Sequence, residues 1–170
     1  MELNKEALID KPLAAAWQVL GPQFGEAHRW GAALRHSEAY GTPTLPGATA
    51  SHRACDVASV GAIKEVIRTL DPDNHVLSYE VIEGFPFFVD TAVNTWALEP
   101  VGERTRVRMQ TRFTFKGFAG AVMAPLMKRQ MDKLLGEALE EFVYYVEHDG
   151  EPHPRKVRAS RKNKRPAVAA

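Results

Sequence analysis

Arg53 and Glu65 are the side chains of this sequence best placed to do chemistry, because they fall on two successive extended segments, residues 50–56 and 61–70. Period-two alternation groups Arg53 with Ser51 and Cys55. It groups Glu65 with Ile63 and Ile67, and leaves Lys64, Val66 and Arg68 on the opposite face. The two segments are hairpin neighbours, so an inward Glu65 would face Arg53. An acid and a guanidinium in that arrangement can hold a polar group of a guest or move a proton to or from it. They can also do no more than pair with each other, as a buried ion pair that fixes strand register. The guanidinium lowers the carboxylate pKa and burial raises it, so the protonation state stays open at this level.

A second set of residues would line an apolar space. Tyr79 shares its face with Leu77 and Val81, and Asn94 shares its face with Ala92 and Trp96. A phenol, a carboxamide and an indole are the kind of sparse polar groups that orient a bound molecule. The plainer alternative is that Tyr79 and Trp96 are core aromatics whose polar tips reach a backbone carbonyl. Met123, Met127 and Met131 stand four apart, where thioethers can adapt to a guest or simply fill a core. The run Gly84-Phe85-Pro86-Phe87-Phe88 puts three aromatics in a loop, as a cavity lip, a homodimer contact or a membrane-touching patch.

Other signals dissolve on inspection. The six histidines are dispersed, with no pair at metal-ligand spacing on one element, so no metal is expected. Cys55 has no histidine partner in sequence and reads as a small buried residue. Asp71 and Asp73 flank Pro72 and read as turn formers. No glycine-rich phosphate loop is present, and no cofactor is expected.

The elements that must position these groups follow from periodicity. Leu3 to Ile9 reads as a first strand, and Asp10 as the cap of a helix carrying Pro12, Leu13, Trp17 and Leu20, which Gly21 and Pro22 end. A short helical piece spans Phe24 to Arg29, and an extended segment spans Trp30 to Ala39. Strands are expected at about 50–56, 61–70, 75–83, 91–99 and 104–115, with turns at Asp71-Pro72-Asp73-Asn74 and Pro100-Val101-Gly102-Glu103. The last strand alternates most cleanly, with Val107, Met109, Thr111 and Phe113 on one face and Arg104, Arg106, Arg108, Gln110 and Arg112 on the other.

From Ala119 to His148 the period becomes helical, and Val122, Met123, Leu126, Met127, Met131, Leu134, Leu139 and Phe142 belong to one broad apolar stripe. Pro125 requires that this helix begin near Ala124 or bend there. An antiparallel sheet with a single helix on one face leaves a gap that a guest molecule can fill.

At 170 residues the chain supports one core and one domain. Its charge is uneven: seven of the 22 basic residues lie beyond Glu151, which leaves 15 against 21 acidic residues and a body charge of −6. The basic tail, residues 150–170, lacks apolar periodicity and is expected to be disordered, with weak contact to anionic surfaces. Acidic residues near the four arginines of the last strand argue for a mixed, solvated outer face, so no specific nucleic-acid partner is expected. The start Met1-Glu2-Leu3-Asn4-Lys5-Glu6 has no apolar leader, no run is long enough for a membrane span, and Cys55 is the lone cysteine. A cytoplasmic location is the expectation.

The order strand, two short helices, curved antiparallel strands and one long helix resembles the START-like, Bet v 1-like superfamily. Within it, the chain resembles the polyketide cyclase/dehydrase-like group that includes plant lachrymatory-factor-synthase-like proteins. The residues that carry the resemblance are Asp10-Lys11-Pro12 with Trp17, Trp30, Arg53 in Ser51-His52-Arg53-Ala54-Cys55, and Ile63-Lys64-Glu65. Leu77-Ser78-Tyr79-Glu80-Val81 with Gly84, Asn94-Thr95-Trp96-Ala97-Leu98-Glu99-Pro100 and Tyr145-Val146-Glu147 complete it.

The resemblance covers residues 1–149. It implies an α+β helix-grip fold, a curved antiparallel sheet wrapped around one long C-terminal helix, with a cavity for lipids, polyketides or other small apolar molecules. Trp30, Tyr79, Asn94, Trp96, Phe113, Met123, Met127 and Met131 would then contact the ligand. Carried over from the plant relatives, Arg53 would hold an oxyanion while Glu65 moves a proton. The expected function is binding of a small hydrophobic molecule, with a cofactor-independent cyclase, dehydratase or isomerase as the alternative.

Overall fold

The computed structural model describes residues 1–164. Its strands are β1 (Glu2–Ile9), β2 (Leu34–Tyr40), β3 (His52–Val57), β4 (Gly61–Asp71), β5 (Val76–Glu83), β6 (Val89–Val101) and β7 (Arg104–Phe115). Its α-helices are α1 (Leu13–Leu20), α2 (Gly117–Glu147) and α3 (Pro154–Lys164), and a 3-10 helix covers Phe24–Arg29. The strands form one antiparallel sheet in the order β1-β7-β6-β5-β4-β3-β2. Every neighbour after β1 is therefore also a neighbour in sequence, as hairpin connections demand.

Alternation decides which way each strand faces. On β7 the side chains of Thr105, Val107, Met109, Thr111 and Phe113 are buried. The intervening arginines meet acids on the outer face, with Arg108 pairing to Glu6 and Glu99 and Arg112 to Glu2. Against the inner face α2 lays Phe142, Leu139 and Val146, which share a core with Trp96, Met109 and Val107. A second cluster toward the start of α2 joins Met127 and Met131 to Leu3, Ala92 and Phe113.

Several boundaries differ from the sequence expectations, for local reasons. Pro12, not Asp10, occupies the N-cap of α1, and no side chain caps that helix. The backbone N–H of Asp10 instead donates to Glu147 Oε1 at 2.7 Å, tying β1 to the end of α2. Trp30 to Ala33 are not extended: Trp30 and Gly31 donate to the Ala27 carbonyl and Leu34 to that of Gly31, so the strand begins only at Leu34.

Helix α2 starts at Gly117, well before Pro125, which sits inside it on an exposed position where the lost N–H is tolerated. Val122 and Leu126 are exposed, contrary to the broad stripe. One residue advances a helix by about 100°, so positions 122 and 126 lie on a line beside that of Met123, Met127 and Met131, and the sheet covers only the latter. The tail expected to be disordered is helical over Pro154–Lys164, where arginine, lysine and alanine are good helix formers. The rest of that expectation, residues 165–170, lies outside the described residues. No helix among the described residues is long and apolar enough to cross a membrane.

Candidate functional site

Arg53 and Glu65 are direct partners in the ladder between β3 and β4, and both are buried. Arg53 Nε donates to Glu65 Oε2 at 2.6 Å, and Arg53 Nη1 donates to the Phe24 carbonyl at 2.9 Å. The guanidinium also lies over the Phe24 ring, 4.0 Å from its centroid, and 4.9 Å from that of Tyr79. Burial works against the charge on Arg53, but Glu65, Cys55 and Tyr79 outweigh it and hold the guanidinium above its ordinary value. Arg53 is thus a fixed cation at this site. The Cys55 thiol donates to the same Glu65 oxygen at 3.5 Å, and burial pushes it up to about 12 against the pull of Arg53.

A cavity of about 380 Å³ lies between sheet and α2. Arg53 and Glu65 are on its wall, together with Trp30, Tyr79, Asn94, Trp96 and Phe113. Of the three methionines proposed as ligand contacts, only Met131 lines it. Met127 packs against Phe113 and Leu3 in the second cluster, and Met123 is half-buried away from the cavity. The spacing of four fixed a shared helix face but not where along that face the empty space lies.

The polar lining is incomplete in a specific way. The Tyr79 hydroxyl accepts from Asn94 Nδ2 at 3.2 Å and from Trp96 Nε1 at 3.4 Å, and burial raises its pKa. Among the described residues, Asn94 Oδ1, Thr111 Oγ1 and Trp30 Nε1 are buried with no hydrogen-bond partner, and all three residues line the cavity. Asn94 and Thr111 are opposite each other in the ladder between β6 and β7. Buried polar atoms are rarely left unpaired, so an acceptor, a hydroxyl and an N–H around one cavity offer partners to a guest that carries polar groups of its own.

Three residues of this site were missed by reading the sequence. Thr111 was assigned to the inward face of β7 but not to a site. Glu141 falls on the same helical line as Leu134, Ala138 and Tyr145, so a charged residue on the inward face was visible as an anomaly. Arg155 carried no signal, because nothing in the basic tail shows which residue turns inward.

Glu141 and Arg155 both line the cavity. Glu141 is 2% exposed. Its Oε2 accepts from the Ala32 N–H at 2.7 Å and its Oε1 from Arg155 Nη1 at 3.2 Å, while burial pushes its carboxyl upward. Among the described residues no group of three His, Cys, Asp or Glu side chains is arranged to hold a metal ion.

Solved structures share this architecture. The Zhui aromatase/cyclase from Streptomyces sp. R1128 aligns with a TM-score of 0.73 at 13% identity, covering 87% of this chain and 94% of that one. A truncated norcoclaurine synthase from Thalictrum flavum aligns with a TM-score of 0.68 at 15% identity, covering 86% and 92%. A START superfamily protein from Mycobacterium smegmatis aligns with a TM-score of 0.63 at 14% identity, covering 88% and 96%. Identities this low establish the fold, the helix-grip arrangement of the START-like, Bet v 1-like superfamily, and not the activity. No curated protein matches the sequence. The family model described as polyketide cyclase / dehydrase and lipid transport matches residues 2–147, the whole of the sheet and its long helix, and the chain belongs to that family.

Proposed function

We propose that the protein binds a small, largely hydrophobic molecule, a lipid, a polyketide or an aromatic compound, in the cavity between sheet and α2. One observation carries this reading: the wall is mostly apolar, yet three of its buried polar atoms lack partners. A wall built only to be core would leave few such atoms, because each costs about 1–3 kcal/mol. Trp30 and Trp96 lie on the wall, so occupancy should change tryptophan emission. Titrating fatty acids, flavonoids and aromatic polyketides against the purified protein, with thermal shift in parallel, tests the reading. Saturable quenching with a raised Tm by at least one class is expected, and failure of every class overturns it. A cytoplasmic location goes with this reading and is supported by the lone buried thiol of Cys55.

A second reading makes the protein a cofactor-independent cyclase, dehydratase or isomerase. The observation in its favour is the Arg53 and Glu65 pair on the cavity wall, where a fixed cation can stabilise a developing oxyanion while the carboxylate moves a proton on the bound compound. The hydrogen bonds from Arg53 and Cys55 to Glu65 both fall on Oε2, which leaves Oε1 to serve the guest. Glu65→Gln is the discriminating variant. It should abolish turnover of any substrate found while leaving binding within about threefold, and unchanged turnover would exclude the carboxylate as the proton carrier.

A further inference from the structure

Helix α3 lies beyond the family match, which ends at residue 147, yet it supplies part of the cavity wall. The chain reverses after α2 through Asp149 and Gly150, both at positive φ, 52° and 93°. This turns α3 back across the body. Arg155 and Ala159, one helical turn apart and so on one face, then line the cavity beside Ala33 and Ala138. On one side Arg155 holds α2, through Nη2 to Glu140 Oε2 at 2.6 Å and Nη1 to Glu141 Oε1 at 3.2 Å. On the other, Lys156 Nζ donates to the Leu34 carbonyl at 2.6 Å. The helix therefore spans the gap between α2 and the segment entering β2.

Polar anchors carry this attachment. After Pro154 the only apolar residues of α3 are Val157 and Ala159, and neither belongs to a hydrophobic cluster. Glu140 is 67% exposed, so its pair with Arg155 is open to screening by salt, whereas Glu141 and Lys156 are buried and their bonds are screened less. An element fastened by a few charged bonds opens far more often than one buried in the core.

From this we infer that α3 is a releasable wall of the ligand cavity, with Arg155 and Ala159 as ligand-facing residues, and that a guest enters or leaves when the Arg155 and Lys156 anchors break. The inference rests on the cavity-binding reading and adds its regulation.

Stopped-flow binding of Nile red, an uncharged fluorescent probe of apolar sites, to the full chain tests it. The R155Q/K156M variant should raise both association and dissociation rates about tenfold, the factor that corresponds to about 1.4 kcal/mol of lost anchoring. Higher salt should accelerate exchange in the parent protein and much less in the variant. A second variant acts in the opposite direction: E140C/R155C, bridged by a short bismaleimide, should slow exchange relative to its unbridged form. Equal rates in the parent, loosened and bridged proteins would overturn the inference while leaving the cavity reading intact. Failure of Nile red to bind any of the three would overturn both.

Discussion

Arg53 Nε stands 2.6 Å from Glu65 Oε2 across the β3 and β4 ladder, and the two side chains are 7% and 5% exposed. Two desolvated charges in such contact gain from each other only while both are present. The ring of Phe24, the carbonyl of the same residue and the Cys55 thiol complete the shell around them. Structure and function make separate demands on this pair, and they can be measured separately.

Removing the cation alone should damage folding strongly. Arg53→Met leaves the Glu65 carboxylate buried without its counter-charge, and a loss of about 3–5 kcal/mol in urea unfolding is expected. The double variant Arg53→Met with Glu65→Leu should recover much of that loss, because an apolar pair of similar bulk carries no desolvation cost. If the single variant unfolds like the parent, the pair is not the tightly coupled element seen in the structure.

How much of this was legible in the sequence depends on how local the cause is. The facing of Arg53 and Glu65 needed only a period of two and a short hairpin, and the antiparallel order of the strands needed only turn residues such as Asp71, whose carboxylate accepts from the backbone N–H groups of Asp73 and Asn74. The cavity lining of Met131 but not Met123 was not legible, since helical periodicity gives a direction around the axis and says nothing of where the sheet ends. Helix α3 was hidden for another reason. Its place is set by bonds from Arg155 to Glu140 and from Lys156 to Leu34, long-range contacts with no repeating pattern in the chain.

Cys55 offers a check on burial that is independent of any ligand. Burial pushes its thiol up to about 12, so the nucleophilic thiolate is scarce near neutral pH. Reaction with an aromatic disulfide reagent at about pH 8 should be slow in the native protein and fast in denaturant. Prompt native labelling would contradict the closed packing around Arg53 and Glu65.

Acid sensitivity should appear near His28. Burial lowers its pKa, with further contributions from His36, whose ring centroid lies 5.3 Å away, and from Lys156 and Arg29; the contact to Ser37 opposes them. The unfolded chain therefore binds more protons than the folded one between the lowered value and the ordinary 6.5. Stability accordingly rises with pH through that window and is lost on acidification. His28→Gln should flatten the slope of Tm against pH below about 6.5, and an NMR titration of the His28 ring should give a midpoint under the ordinary value. A midpoint above it would reverse the sign and remove His28 as the cause.

Thr111 separates stability from binding more sharply than any other residue on the wall. Its hydroxyl is buried without a partner, opposite the equally unpartnered Asn94 carbonyl oxygen. That hydroxyl makes no bond to the protein, so Thr111→Val, which keeps the shape of the side chain and removes the polar atom, should leave unfolding stability level or raise it by up to about 1 kcal/mol. In the occupied protein the same hydroxyl would bond a polar group of the guest. The variant should therefore bind dihydroxynaphthalene about tenfold more weakly than the parent does, while its affinity for naphthalene stays level. The two ligands share a ring system and differ in hydroxyls, so the ratio of their affinities isolates the polar contact. A variant that is less stable than the parent would mean that Thr111 is satisfied within the protein. Equal losses for both ligands would mean that its role in binding is shape alone.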